Sequence, residues 1–212
     1  MKSLLWFTLL AWFALSACSA GPSLAERTLA PGSLLWSDSF NPPNPGWGKL
    51  NNEGGRVSAE EGTLRLQVFQ PNSQLWVHPG LELGDVRLQV TAHANAAPFE
   101  NRMGLVCRLQ NEINFYFFFL SADGYAAIGK MKDGRATWLT PLSPAPAAET
   151  GLGTNRLQAE CIAEFLIFTI NDTLTLAAQD AEFTRGDAGL LAGTFSQAGA
   201  DVSFNNFSVF KP

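Results

Sequence analysis

Short apolar runs recur along the chain, separated by clusters of turn-forming residues. The runs include SLLWSDSF, GTLRLQVF, DVRLQVTAHA, GLVCRL, NFYFFFL, RLQAECI, FLIFTIN and DVSFNNFSVF, and the spacers include NNEGG, SADG, MKDG and QAGAD. Several runs alternate apolar and polar residues with a period of two, as a strand with one wet face does. No stretch sustains a helical period. Many short strands with turn chemistry between them predict an all-β fold, a two-sheet antiparallel sandwich or jelly roll. The Pro- and Ala-rich stretch 140–155 reads as a loop at its rim.

Phe115-Tyr116-Phe117-Phe118-Phe119-Leu120 breaks the alternation, because both of its faces are apolar. Registering the hairpins sorts the side chains. A turn at Asn111–Asn114 sets Cys107 opposite Phe118 and Arg108 opposite Phe117. A turn at SADG sets Phe118 opposite Ala127 and Phe117 opposite Ile128. In the later hairpin, Cys161 meets Leu166 and Glu160 meets Ile167. One surface is then free of charge and is the expected core, carrying Cys107, Tyr116, Phe118, Cys161 and Phe168. The other carries Arg108, Gln110, Phe115, Phe117, Lys130, Gln158 and Glu160, an aromatic and hydrogen-bonding mixture suited to a ligand such as a sugar. That second face is either an open groove or a layer covered by a loop such as 140–155.

The start of the chain has a different pattern. Lys2 precedes an apolar run of about fifteen residues, shorter than the roughly 20 that span a bilayer. A basic residue followed by such a run reads as an export signal. Its end, Leu15-Ser16-Ala17-Cys18, resembles the lipobox of bacterial lipoproteins, which implies cleavage before Cys18 and acylation of its thiol. The alternative is an ordinary signal peptide with a chance cysteine. The expected organisation is a leader over 1–17, a lipidated cysteine and tether over 18–33, and one sandwich domain over 34–212. The protein is then expected in the cell envelope, anchored by lipid outside the cytoplasm.

Composition excludes some chemistry. The net charge is −5, and no Lys/Arg cluster offers the footprint that nucleic acid requires. With Cys18 acylated, Cys107 and Cys161 remain, an even pair that suggests a disulfide in an oxidising compartment; two separate buried thiols are the alternative. HExxH, CxxC, a phosphate-binding glycine loop and GxSxG are all absent, and His78 and His93 stand at no metal-ligand spacing. No cofactor is implied. Asp38 and Asp201 fall in the first and last strand regions and could hold a structural calcium, although turn aspartates serve as well. Trp36, Trp47, Trp76 and Trp138 are scattered and read mostly as core or loop-packing residues, with Trp47 at a rim.

LLWSDSFNPPNPGWG, EEGTLRLQV, GLVCRLQNEINFYFFFLSADGYAAIGK, NRLQAECIAEFLIFTIND and GDAGLLAGTFSQAGADVSFNNFSVF follow one another in the order found in concanavalin A-like (laminin-G/jelly-roll) domains of exported bacterial proteins. The chain resembles that family over about residues 33–211. It is similar, more loosely, to the 3-keto-disaccharide hydrolase-type domain. The resemblance implies a two-sheet sandwich whose concave face often binds carbohydrate. The paired acids of the glucanases, ExDxxE, are absent, and Ile170-Asn171-Asp172 stands where the family's VNG turn is usual. The expected function is therefore non-catalytic binding of a glycan or other extracellular ligand, with no catalytic residues assigned. The alternatives are a sugar-processing hydrolase of the 3-keto-disaccharide type and an adhesion protein that docks a protein partner.

Overall fold

A computed structural model of the chain describes residues 29–60 and 62–212. The leader, Cys18 and most of the tether lie outside these residues. The described chain forms two antiparallel sheets. The first contains β1 (Leu34–Asp38), β2 (Leu50–Asn51), β3 (Gly55–Glu60), β4 (Thr63–Val68), β6 (Val86–Ala94), β12 (Thr154–Ile162), β13 (Phe165–Ile170), β14 (Thr173–Gln179) and β16 (Ala200–Phe210). The second contains β5 (Gln74–Val77), β7 (Asn101–Asn111), β8 (Asn114–Leu120), β9 (Tyr125–Lys132), β10 (Arg135–Trp138), β11 (Ser143–Pro144) and β15 (Asp187–Thr194). The nine-stranded sheet runs β14-β13-β12-β6-β16-β4-β3-β2 with β1 also on β16; the seven-stranded sheet runs β10-β9-β8-β7-β15-β5 with β11 also on β9.

Alternation builds the core between the sheets. In β6, Val86, Leu88, Val90, Ala92 and Ala94 are buried while Arg87, Gln89, Thr91 and His93 are partly exposed. They face Leu105, Tyr116, Phe118, Leu120 and Ile128 of the opposite sheet within one apolar cluster. Cys107 on β7 and Cys161 on β12 are disulfide-bonded across this core, with Cα atoms 6.8 Å apart. The expected charge-free surface is therefore two facing surfaces, one on each sheet.

The later hairpin has the expected register, Cys161 with Leu166 and Glu160 with Ile167. Asn171 and Asp172, both at positive φ, close the next hairpin as a two-residue turn of the I′ kind. Two other registers differ from expectation. Ser121 N–H bonds the Tyr125 carbonyl, which leaves the odd three-residue loop Ala122-Asp123-Gly124, with Gly124 at φ +92°. Phe118 consequently pairs with Ile128, and a one-residue slip reverses the faces of β9. Ile128 points into the core, and Ala127 joins the outer face. In β7 the ladder shifts between Cys107 and Asn111, so Cys107 pairs with Tyr116 and Val106 with Phe117. Arg108 sits in this bulge at φ +50°.

Candidate functional site

The seven-stranded sheet carries a second apolar cluster on its outer face: Val106, Leu109, Phe115, Phe117, Phe119, Ala127, Met131 and Leu191. Phe115 and Phe117 are 0% and 2% exposed, so they are a buried floor and not the stacking surface expected of them. The Phe117 ring lies over Gly129, where a Cβ would run into it. Other rings form the roof. Trp76 packs on Phe115 at 4.9 Å between centroids, Trp138 on Phe117 at 5.8 Å and on Phe119 at 5.7 Å, and Phe195 on Phe119 at 5.9 Å. Trp138, on a strand at the sheet edge, is 48% exposed. The 140–155 stretch contributes no member to this cluster.

Arg102 lies among the roof rings. Its Cζ is 4.1 Å from the Phe195 centroid, 5.7 Å from Phe119 and 6.0 Å from Trp138. Nη1 donates to Gln74 Oε1 at 3.3 Å, while Nε is buried without an acceptor. Burial pulls the Arg102 pKa below the usual arginine value. Phe195 also walls a cleft of about 330 Å³ that contains Glu100, Asp123, Tyr125 and Leu142. Both acids accept hydrogen bonds there, Glu100 from Ser196 and Asp123 from Ser121. At the other end of the face, Trp76 Nε1 donates to Glu112 at 2.7 Å. Glu112 meets His78 Nε2 at 3.2 Å, and His78 Nδ1 meets Asp187 at 2.7 Å. The Asp187 hydrogen bond, aided by Glu112 and opposed by burial, raises the His78 pKa above its ordinary value.

The expected ligand residues do not converge. Arg108 has a side chain only 1% exposed, donates to the Phe183 carbonyl at 2.8 Å and pairs with Asp85 at 3.0 Å. The bulge turns it away from the outer face, toward the segments that precede β6 and β15. Lys130, on the reversed β9, pairs with Tyr116 in the ladder and bonds Asp180 at 2.5 Å and Glu182 at 2.7 Å. Gln158 and Glu160 belong to the other sheet, so they face the opposite side of the molecule. There Gln89 donates to Gln158 at 2.7 Å and Arg87 to Glu160 at 2.9 Å. Gln110 is exposed at the end of β7. Asp38 and Asp201 also stay apart. Asp38 pairs with Phe207, six residues along β16 from Asp201, or roughly 20 Å at the rise of a strand. Asp38 accepts from Phe40 N, Asn44 N and Trp47 Nε1, and Asp201 from Arg65, Gln67 and Asn95. No group of three potential metal ligands occurs among the described residues.

Sequence alone does not single out Trp76, Arg102, Trp138 and Phe195 as ligand residues. A signal for Arg102 existed: stepping back by two from Val106 along β7 passes Gly104 and reaches Arg102 on the same face. A larger concavity, about 710 Å³, lies between the Pro43–Asn51 loop and β3. The one aromatic residue lining it, Trp47, is 3% exposed and bonded to Asp38, so it presents no ring for stacking.

No family model matches the sequence. No curated protein matches it either. Solved structures do match. The carbohydrate-binding module CBM66 from Bacillus subtilis superposes with a TM-score of 0.65 at 16% identity, covering 78% of this chain and 96% of that one. A protein of unknown function with a galectin-like fold from the same organism gives 0.64 at 13% identity, covering 86% and 97%. The β-glucanase of Bacillus licheniformis gives 0.61 at 10%, covering 84% and 97%. At these identities the likeness is one of fold: the chain is a concanavalin A-like jelly-roll sandwich.

Proposed function

We propose that the protein is a non-catalytic carbohydrate-binding domain, held at the cell envelope by a lipid on Cys18, and that the outer face of the seven-stranded sheet is its binding surface. The observation that carries this reading is Trp138, half exposed beside Arg102 and Phe195 above a buried aromatic floor. A sugar ring offers apolar C–H patches to such rings, and its hydroxyls find acceptors in the neighbouring acidic cleft. The sandwich fold shared with a carbohydrate-binding module is consistent with it. Glycoside hydrolysis needs two carboxylates across a scissile bond. Glu112 on this face is engaged by Trp76 and His78.

A glycan array followed by calorimetry on the purified protein tests the reading. Trp138→Ala is expected to abolish binding while keeping the fold, with the melting temperature lowered by only a few degrees, because half of the ring covers Phe117 and Phe119 and the other half is exposed. Wild-type affinity in that variant would overturn the assignment of the face. Incorporation of labelled palmitate that is lost in Cys18→Ala tests the anchor. A second reading, hydrolysis, rests on Glu100 and Asp123 sharing one cleft. Turnover of disaccharides or their keto forms, lost in both Glu100→Gln and Asp123→Asn, would favour it.

A further inference from the structure

We infer that the ligand is an acidic sugar whose anionic group, a carboxylate or a sulfate, pairs with Arg102. This rests on the reading of the face as carbohydrate-binding and adds to it the charge class of the ligand.

The other half-buried arginines among the described residues are neutralised. Arg65 meets Asp201 at 2.6 Å and Arg87 meets Glu160 at 2.9 Å; fully buried Arg108 meets Asp85 at 3.0 Å. Arg102 meets no carboxylate among the described residues, although the chain carries a net charge of −5. Among the described residues its one acceptor is the neutral Gln74 amide at 3.3 Å; its buried Nε lacks one, as does that of Arg108, so what sets Arg102 apart is the missing carboxylate. A desolvated cation without a counter-charge is costly, and ring quadrupoles compensate only part of the loss. An incoming anion supplies the rest. Guanidinium groups bind planar and tetrahedral oxyanions through paired hydrogen bonds, which are stronger when both partners are charged.

The surroundings select a sugar as the carrier of that anion. A free inorganic anion would gain nothing from the Trp138 ring, whereas a pyranose acid can stack on it while its acid group reaches Arg102. The adjoining cleft sets the orientation. Glu100 and Asp123 repel an anionic group but accept hydrogen bonds from hydroxyls, so the acid end lies over Arg102 and the hydroxyl end enters the cleft. Corroboration comes from the pKa of Arg102, which burial lowers with no carboxylate to restore it.

The test is calorimetry of the purified protein against matched pairs: trigalacturonate and its methyl ester, sialyllactose and lactose, and a sulfated galactan fragment with its desulfated form. At least one acidic member is expected to bind more tightly than its neutral match. Arg102→Met, which keeps the apolar stem over Phe195, is expected to weaken that ligand roughly 10- to 100-fold, the range for a charge-assisted hydrogen bond. Arg102→Lys should recover part of the loss. The melting temperatures of both variants report whether the fold is kept. Neutral members binding as well as acidic ones, or an acidic ligand indifferent to Arg102→Met in a folded protein, overturns the charge class and leaves carbohydrate binding standing. Binding of no sugar at all overturns both, and binding of acetate or sulfate as tightly as the acidic sugar overturns the choice of a sugar.

Discussion

Reducing the Cys107–Cys161 bridge should lower the melting temperature by roughly 8–16 °C. The bridge closes a segment whose ends are 54 residues apart. The chain-entropy relation gives about 4 kcal/mol for a loop of that length. A domain of this size shifts by roughly 2–4 °C per kcal/mol. Residual structure in the unfolded chain makes this an upper bound. Both cysteines are completely buried, so reductant must act through unfolding, and the protein should be unfolded, reduced and refolded in dithiothreitol before melting. Reduction is a cleaner perturbation than Cys→Ala, which also removes buried sulfur and opens a cavity. Urea titrations supply an independent check. The reduced chain expands further when unfolded, so its m-value should rise while the native spectrum stays the same. A reduced protein melting within about 2 °C of the oxidised one, at unchanged m, would refute the reasoning, because at that size of domain the bridge would contribute under ~1 kcal/mol.

Three further outcomes follow from the side-chain geometry. Arg108→Ala should cost roughly 2–5 kcal/mol in urea denaturation, because it removes a large buried side chain and the donor to the Phe183 carbonyl while half-exposed Asp85 is left to water; a loss under about 1 kcal/mol would contradict that burial. Glu160→Ala, which frees only a partly exposed pair with Arg87, should cost under about 1 kcal/mol in the same assay. His78 has its pKa raised in the folded protein, so its contribution is complete below the ordinary value near 6.5 and fades as pH rises through the folded value. The melting-temperature gap between wild type and His78→Gln should therefore shrink as pH rises above about 6.5, and a gap that widens would reverse the assignment.

Local alternation made much of the fold legible. RLQAECI and FLIFTI flank a two-residue turn, and their register follows directly from that spacing. Sheet membership is not local information. Nothing within residues 154–170 says that β12 pairs with β6, or that the hairpin faces β7 across the core and does not lie beside it. Sequence alone therefore places Gln158 and Glu160 on one face with Phe115 and Phe117. The SADG turn hid an odd loop length, which was enough to exchange Ile128 for Ala127 on the outer face and to move Lys130 off it. Arg108 left the alternation through a bulge, a feature that residue pattern does not announce. The aromatic roof draws on residues 76, 102, 138 and 195, so only the closed tertiary structure brings it together.

The doubly apolar strand β8 has a consequence before the protein is folded. Residues 115–120 form six consecutive large apolar side chains of high β propensity, without charge, proline or glycine. Such a segment is the kind that assembles into cross-β aggregates when exposed. In the native sheet β8 lies between β7 and β9, far from either edge, so its backbone has no free side to offer another chain. That protection arrives only when the nonlocal strands close around it. A chain delayed before closure presents this segment openly, and its yield is then set by how quickly β7 and β9 cover it.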